Sequence, residues 1–138
     1  MNSYTLTDIG LGLSHSFEVI VTESMMEQFK VMSGDINPLH TDKAFALEKG
    51  FVNKVVYGML TASFYSTLVG VYLPGKYALL QGVDITFHHP VFPGDRLTVY
   101  GEVKYIHTIL GQIEIKAHIN NQQGKKVSKA KIKVGINV

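Results

Sequence analysis

Residues 56–72 read Val-Tyr-Gly-Met-Leu-Thr-Ala-Ser-Phe-Tyr-Ser-Thr-Leu-Val-Gly-Val-Tyr, a segment without a single charged side chain. Its apolar residues spread around most of a helix instead of along one face: Met59, Leu60, Ala62, Phe64, Leu68, Val69 and Val71. A helix that is apolar nearly all round is stable only when other elements enclose it. The segment therefore predicts a central helix surrounded by the rest of the fold.

The second half of the chain predicts half-buried antiparallel strands, because apolar residues alternate there with polar ones. The apolar positions are Leu97, Val99, Val103 and Tyr105, then Ile113, Ile115, Ala117 and Ile119, then Ala130, Ile132, Val134 and Ile136. A first strand is expected from His15 to Val21. One strand, a helical middle and a run of strands predict an α+β fold, in which a curved antiparallel sheet wraps around the central apolar helix. That arrangement is the hot-dog fold.

Two short helices are expected between the first strand and the central helix. Thr22 or Ser24 offers an N-cap for the first, and Glu27 stands three residues after Ser24, as a capping box requires. The second covers residues 42–48, and Gly50 can end it in a left-handed conformation.

Length and composition restrict the classes of function. A chain of 138 residues fits one domain, residues 1–138, with no room for a separate cofactor domain. The lack of cysteine removes thiolate nucleophiles and Cys-zinc sites and fits a cytoplasmic location. A net charge of +2 is too small to indicate nucleic-acid binding. Residues 1–12 have no basic leader followed by an apolar run, and there is no run of 18 apolar residues, so neither export nor a membrane span is expected.

The stretch Gly-Asp-Ile-Asn-Pro-Leu-His, residues 34–40, carries the most chemistry. Pro38 fixes its own φ and biases Asn37 away from helix, so the chain turns and Asp35 and His40 can converge. Adding water across an activated C=C bond requires a base and an acid beside one water molecule, and a carboxylate with an imidazole supplies them. On spacing alone, the alternative is that Asp35 caps the turn and His40 is a buried, hydrogen-bonded histidine.

The longer string Gly-Asp-Ile-Asn-Pro-Leu-His-Thr-Asp, followed by Ala-Phe-Ala, resembles the signature of the MaoC-like or (R)-specific enoyl-CoA hydratase family of single hot-dog proteins. Residues 55–63 resemble the start of that family's central helix, and residues 87–95 resemble its Phe-x-x-Pro-Val-x-x-Gly-Asp turn. Two positions depart from the pattern: Lys43 stands where members often have Pro, and Tyr57 where they often have His.

The resemblance implies a hydro-lyase that reversibly adds water to trans-2-enoyl-CoA and gives (R)-3-hydroxyacyl-CoA. It implies that Asp35 and His40 are the catalytic pair and that the backbone N–H of Gly58 polarises the thioester carbonyl. The last role also has a physical basis, because the N-terminus of a helix carries free N–H groups and partial positive charge.

Three further residues are expected to support the site. Asn37 is expected to organise the loop, because its amide is a good clamp and a poor proton carrier. By resemblance Ser63 lies near the catalytic loop, and its hydroxyl needs either the loop or its own i−4 carbonyl as a partner. Tyr57 is expected to shape the entrance or the acyl pocket.

Partners and rival functions follow from the same resemblance. A homodimer is expected, with an acyl-CoA or acyl carrier protein thioester as substrate and with neither cofactor nor metal. His88 and His89 do not suggest a metal site, since adjacent strand residues face opposite ways and no third ligand is suitably spaced.

Three functions rival the enoyl-CoA hydratase. They are a 3-hydroxyacyl dehydratase acting on carrier protein or in a specialised biosynthetic pathway, a hot-dog thioesterase, and a non-catalytic acyl-CoA-binding module. The lysines at 125, 126, 129, 131 and 133 form either a phosphate- or carrier-binding face or a plain solvated one.

Overall fold

The computed structural model describes all 138 residues and contains five strands and four α-helices, with a short 3₁₀ helix, Leu6–Asp8, before them. In chain order these are β1 (Ser14–Ile20), α1 (Glu23–Ser33), α2 (Pro38–Thr41), α3 (Lys43–Glu48), α4 (Gly58–Thr67), β2 (Ala78–Phe87), β3 (Arg96–His107), β4 (Gln112–Asn120) and β5 (Lys126–Ile136). A π-helical turn, Leu68–Tyr72, continues α4. None of the helices combines the length and the apolar character needed to cross a membrane.

The five strands form one antiparallel sheet in the order β1-β3-β4-β5-β2. In β4, the side chains of Ile113, Ile115, Ala117 and Ile119 are buried, whereas those between them reach the outer face. The predicted alternation is therefore confirmed for this strand. The first and last strands of the order, β1 and β2, form the two edges of the sheet.

The inner face of the sheet packs on α4 and the turn that follows it. Leu68 is fully buried, and a Cβ atom placed on Gly101 of β3 would lie 2.6 Å from its Cδ2 atom. Glycine at 101 is therefore what lets the helix approach the sheet so closely. The hydroxyl of Tyr65 in α4 bonds Ser128 of β5 over 2.8 Å in the core, and burial raises the pKa of Tyr65 to about 12. The curved sheet on a central apolar helix is the predicted arrangement.

The central helix is less enclosed than the sequence predicts. The α-helix covers residues 58–67 of the predicted segment 56–72, and the side chains of Met59, Ser63 and Ser66 lie on an uncovered face. Met59 is 64% exposed. These three residues follow one another at spacings of four and three, so they form one stripe along the helix.

Smaller predictions need correction as well. Thr22, not Ser24, caps α1, because its side chain accepts from the N–H of Met25. Tyr105 was expected to be buried with its neighbours in β3, but it is exposed because a register shift between Val103 and Tyr105 reverses the alternation.

Candidate active site

Local hydrogen bonds shape the loop between α1 and α2. Gly34 ends α1 in a left-handed conformation, with φ of 75°, and turns the chain out of the helix. The side chain of Asn37 accepts a 2.9 Å hydrogen bond from Leu39 N and so caps α2, in which Pro38 is the first residue. The capping role of Asn37 matches the loop organisation expected from the sequence.

The Asp35 carboxylate is exposed, and the protein hydrogen-bonds only one of its two oxygens. Its Oδ1 atom accepts a 3.1 Å hydrogen bond from the backbone N–H of Asn37, the Asx-type contact of the alternative interpretation. Its Oδ2 atom accepts no hydrogen bond from the protein. One oxygen therefore fixes the carboxylate in the turn, and the other is free to bind a small molecule.

His40, in α2, is held so that one ring nitrogen is free. Its Nδ1 atom lies 2.6 Å from the carbonyl oxygen of Val55. A carbonyl oxygen only accepts, so Nδ1 carries the proton and donates it to Val55. In the neutral ring, Nε2 is then an unprotonated nitrogen without a protein partner, which is the state needed to accept a proton.

Tyr57 connects the two candidate residues to the start of α4. Its hydroxyl donates a 2.6 Å hydrogen bond to the backbone carbonyl of Asp35, and its ring centroid lies 4.2 Å from that of His40. The side chain is 2% exposed, and burial, followed by the negative charge of Asp35, raises the pKa of its phenol. Tyr57 thus holds the loop through a contact that the sequence alone did not specify, and with His40 it also lines a small cleft of about 50 Å³.

The N-terminus of α4 presents free backbone donors beside this histidine. Leu60 N and Thr61 N both donate to the carbonyl of Tyr57, whereas the N–H groups of Gly58 and Met59 have no acceptor in the protein. A Cβ atom on Gly58 would lie 3.2 Å from Cε1 of Phe87, so glycine keeps the space in front of this helix end open.

A pocket of about 260 Å³ opens at this helix end. Its wall includes His40, Gly58, Thr61, Phe87, His88 and His89. Asp35, Asn37 and Ser63 do not contribute to this wall. The structure therefore brings His40 and Gly58 together in one cavity, and it connects Asp35 to this region through the hydrogen bond from Tyr57, the residue before Gly58.

The structure decides between the two partners expected for Ser63. Its hydroxyl donates to the carbonyl of Leu60 over 2.6 Å, so the partner belongs to its own helix, at i−3 instead of i−4, and not to the loop. His88 and His89 both line the pocket, because β2 ends at Phe87 and the alternation of a strand no longer separates them. No group of three or more His, Cys, Asp or Glu side chains is arranged to hold a metal ion.

Solved structures define the class of this protein. The (R)-hydratase from Aeromonas caviae involved in PHA biosynthesis superimposes with a TM-score of 0.89 at 31% identity, over 93% of this chain and 97% of that one. An unliganded R-hydratase from Pseudomonas aeruginosa superimposes with a TM-score of 0.91 at 26% identity, over 96% of this chain and 85% of that one. The predicted hot-dog fold is thereby confirmed.

Sequence comparison gives the family. The family model described as "MaoC like domain" matches residues 6–132, and the chain belongs to this family. The (R)-specific enoyl-CoA hydratase of Aeromonas caviae is 47% identical over 75 residues, which are 54% of this chain and 56% of the relative. The enzyme of the same name from Rhodospirillum rubrum is 35% identical over 91 residues, 66% of this chain and 63% of the relative. The matched part is thus less than two thirds of either relative.

Proposed function

We propose that this protein reversibly hydrates trans-2-enoyl-CoA to (R)-3-hydroxyacyl-CoA. The observation that carries the proposal is the pocket lined by both Gly58, whose N–H has no acceptor in the protein, and His40, whose Nε2 has no partner in the protein. Membership of the MaoC-like family and the names of the relatives support the same reaction.

In the proposed reaction, Gly58 acts on the thioester. Its N–H donates to the carbonyl oxygen, which gains negative charge when a nucleophile adds to C3 of the conjugated system. Because that N–H has no acceptor in the protein and lies at the positive end of α4, it stabilises the enolate-like oxygen without any rearrangement.

The acid–base steps use one water molecule. The free Oδ2 of Asp35 accepts one hydrogen of this water and orients it, while Nε2 of His40 accepts the other hydrogen as a proton. The water oxygen forms the new C–O bond at C3, and the C=C electron pair moves to C2 and the thioester. The His40 imidazolium then returns its proton to C2, so one water supplies both added groups from one face.

Two residues support this chemistry without taking part in it. Asn37 caps α2 and thereby sets the direction of His40, and Tyr57 holds the Asp35 carbonyl and packs on the His40 ring. The reaction moves no electrons to or from an acceptor, so the proposal requires neither a redox cofactor nor a metal. The cytoplasmic location expected from the sequence remains part of the proposal, and cell fractionation tests it.

The first prediction is that the protein hydrates crotonyl-CoA and gives only the (R) product. Loss of the enoyl absorbance measures hydration, and coupling to an (R)-specific dehydrogenase should yield a signal that an (S)-specific one does not. A series of 2-enoyl-CoA substrates of increasing chain length then defines the acyl range. Dehydration of 3-hydroxyacyl-CoA compared with hydration gives the favoured direction, and carrier-protein thioesters compared with CoA thioesters give the carrier.

The same assay separates the rival functions. Because the chain has no cysteine, a thiol reagent detects only CoA released from the substrate. Release of CoA without hydration would favour a thioesterase, and tight binding without either product would favour a binding module. A robust signal with the (S)-specific dehydrogenase would contradict the stereochemistry proposed here.

We also propose that the protein is a homodimer formed through β2. One edge of this strand is unpaired, and four of its apolar residues are about half exposed: Leu79, Leu80, Val83 and Phe87. An exposed apolar edge strand is a template for pairing, and pairing with its own symmetry mate satisfies both copies.

The second prediction tests this edge. Sedimentation at micromolar concentration should give a dimer for the wild type and a monomer for the Leu79→Lys, Val83→Lys variant, because like charges would meet across the two-fold axis. Ile109→Lys is the matched control, since Ile109 is 99% exposed and lies outside every strand, so this variant should remain a dimer. A monomeric wild-type protein would refute the proposal.

A further inference from the structure

Two histidines at the rim of the pocket have no role in the chemistry described above. We propose that His89, with His88 beside it, binds an amide group of the pantetheine arm that carries the acyl group. The inference rests on the proposed function, since it assumes a thioester with its carbonyl at Gly58. It adds the recognition of a part of the substrate that does not react.

The His89 ring is oriented by a backbone contact. Its Nδ1 atom lies 2.8 Å from the carbonyl oxygen of Lys126, at the start of β5. By the same reasoning as for His40, Nδ1 donates this hydrogen bond, and Nε2 of the neutral ring is left as an acceptor without a protein partner. The ring is therefore held by one nitrogen and can bind a donor with the other.

The backbone fixes this pair of histidines as well. His88 N donates to the carbonyl of Val127 over 2.8 Å, which ties the segment after β2 to the first residues of β5. Both histidine side chains are exposed, whereas Val127 behind them is buried. The two rings thus stand on a fixed backbone at the solvent side of the pocket.

The remaining wall of the pocket makes His88 and His89 the suitable acceptors for this arm. Phe87, Pro90 and Val91 have no side-chain acceptor, and the Thr61 hydroxyl is buried and donates to the carbonyl of Gly58. His40 is engaged with the reacting water in the proposed mechanism. An amide N–H that leaves water needs a new acceptor, and the two rim histidines are the side chains that can supply one.

Distance favours the amides of the arm over its phosphate. The histidines line the same small cavity as Gly58, so they lie close to the thioester. Two carbons separate the sulfur from the nitrogen of the first amide, and three carbons, the first of them the carbonyl carbon of that amide, separate this nitrogen from the nitrogen of the second. The phosphate lies well beyond both. CoA and acyl carrier protein present the same two amides, so this recognition does not distinguish the two carriers.

The experiment pairs His89 variants with substrates of decreasing length. His89→Asn places an amide where Nδ1 lies, so it keeps the hydrogen bond to the carbonyl of Lys126, but it has no acceptor in the place of Nε2. His89→Gln instead places an amide oxygen, which can accept, near the position of Nε2. Each is assayed with crotonyl thioesters of CoA, carrier protein, pantetheine and ethanethiol, of which the last has no amide. His107→Asn is the control, because His107 is exposed on β3 and outside the pocket.

We expect His89→Asn to lower kcat/KM by about threefold to tenfold for the three pantetheine-bearing substrates, the range for one lost hydrogen bond. The change should appear in KM with kcat nearly constant, because the contact is the same in the ground state and the transition state. The ethanethiol thioester should be unaffected. His89→Gln should recover much of the loss, and His107→Asn should match the wild type.

Other outcomes would overturn the inference. An equal loss with the ethanethiol thioester would place His89 at the reacting group, and a loss confined to CoA or to carrier protein would indicate the nucleotide or the protein surface. Binding of butyryl-CoA and butyryl-pantetheine, measured by calorimetry, gives the same comparison without turnover. If the wild type hydrates nothing while His89→Asn still weakens this binding, the proposed function is wrong, but the binding of the pantetheine arm by His89 is supported.

Discussion

Asp35→Asn and His40→Gln are each expected to lower kcat by roughly two to four orders of magnitude, the usual range for a positioned acid or base. Asp35→Asn keeps an oxygen that can accept from the N–H of Asn37, so the turn should survive while the carboxylate charge is lost. The double variant should be little worse than the poorer single one, because both groups act on one water. Single-turnover and steady-state hydration of crotonyl-CoA measure these effects.

The controls separate chemistry from loop structure. His40→Asn can keep the hydrogen bond to Val55 yet has no group in the place of Nε2, so its kcat should fall as far as that of His40→Gln. Tyr57→Phe removes only the bond to the Asp35 carbonyl, and we expect a loss of no more than about tenfold from one hydrogen bond. Near-normal hydration by folded Asp35→Asn would leave Asp35 as a cap of the turn and would disprove the mechanism.

Gly58→Pro is expected to lower kcat by about two to three orders of magnitude, the effect of removing one donor to a developing oxyanion. Gly58 is the first residue of α4, where proline is well tolerated, and its N–H has no acceptor in the protein. Tyr57 before it already has φ of −54° and ψ of 126°, which suits a residue that precedes proline. The substitution therefore removes a donor and no bond of the fold.

Gly58→Ala is the matched control, because it adds a Cβ atom and keeps the N–H. That Cβ would lie 3.2 Å from the Phe87 ring, which is half exposed and can move by the few tenths of an ångström required. We expect a small change in kcat/KM for Gly58→Ala and unchanged thermal unfolding for both variants. Equal losses in the two variants would mean that space, and not the N–H, is what glycine provides at this position.

Local sequence was sufficient to predict the path of the loop. Gly34, Asn37 and Pro38 determine its path through a left-handed turn, an N-cap and a fixed φ, all of which are properties of neighbouring residues. The partners of the loop could not be predicted in this way. Val55 and Tyr57 lie 15 and 22 residues along the chain from the groups that they bind, and only packing brings them together.

Strand β2 shows where the sequence pattern failed. A register shift between Leu80 and Gly82 interrupts its alternation, and its apolar residues face outward as well as inward, so no half-buried strand was predicted there. Because β2 ends at Phe87, the two residues that follow it, His88 and His89, can line the same pocket. A bulge depends on pairing with β5, which a single segment of sequence does not contain.

The sequence by itself determined the α+β hot-dog fold and the loop with Asp35 and His40, because hydrophobic periodicity and turn chemistry act over a few residues. Tertiary structure alone decided that His40 and Gly58 line one cavity, that Tyr57 holds the Asp35 carbonyl, and that one face of α4 is uncovered. These features arise where segments distant in the chain meet, and their geometry depends on long-range packing that periodicity does not encode.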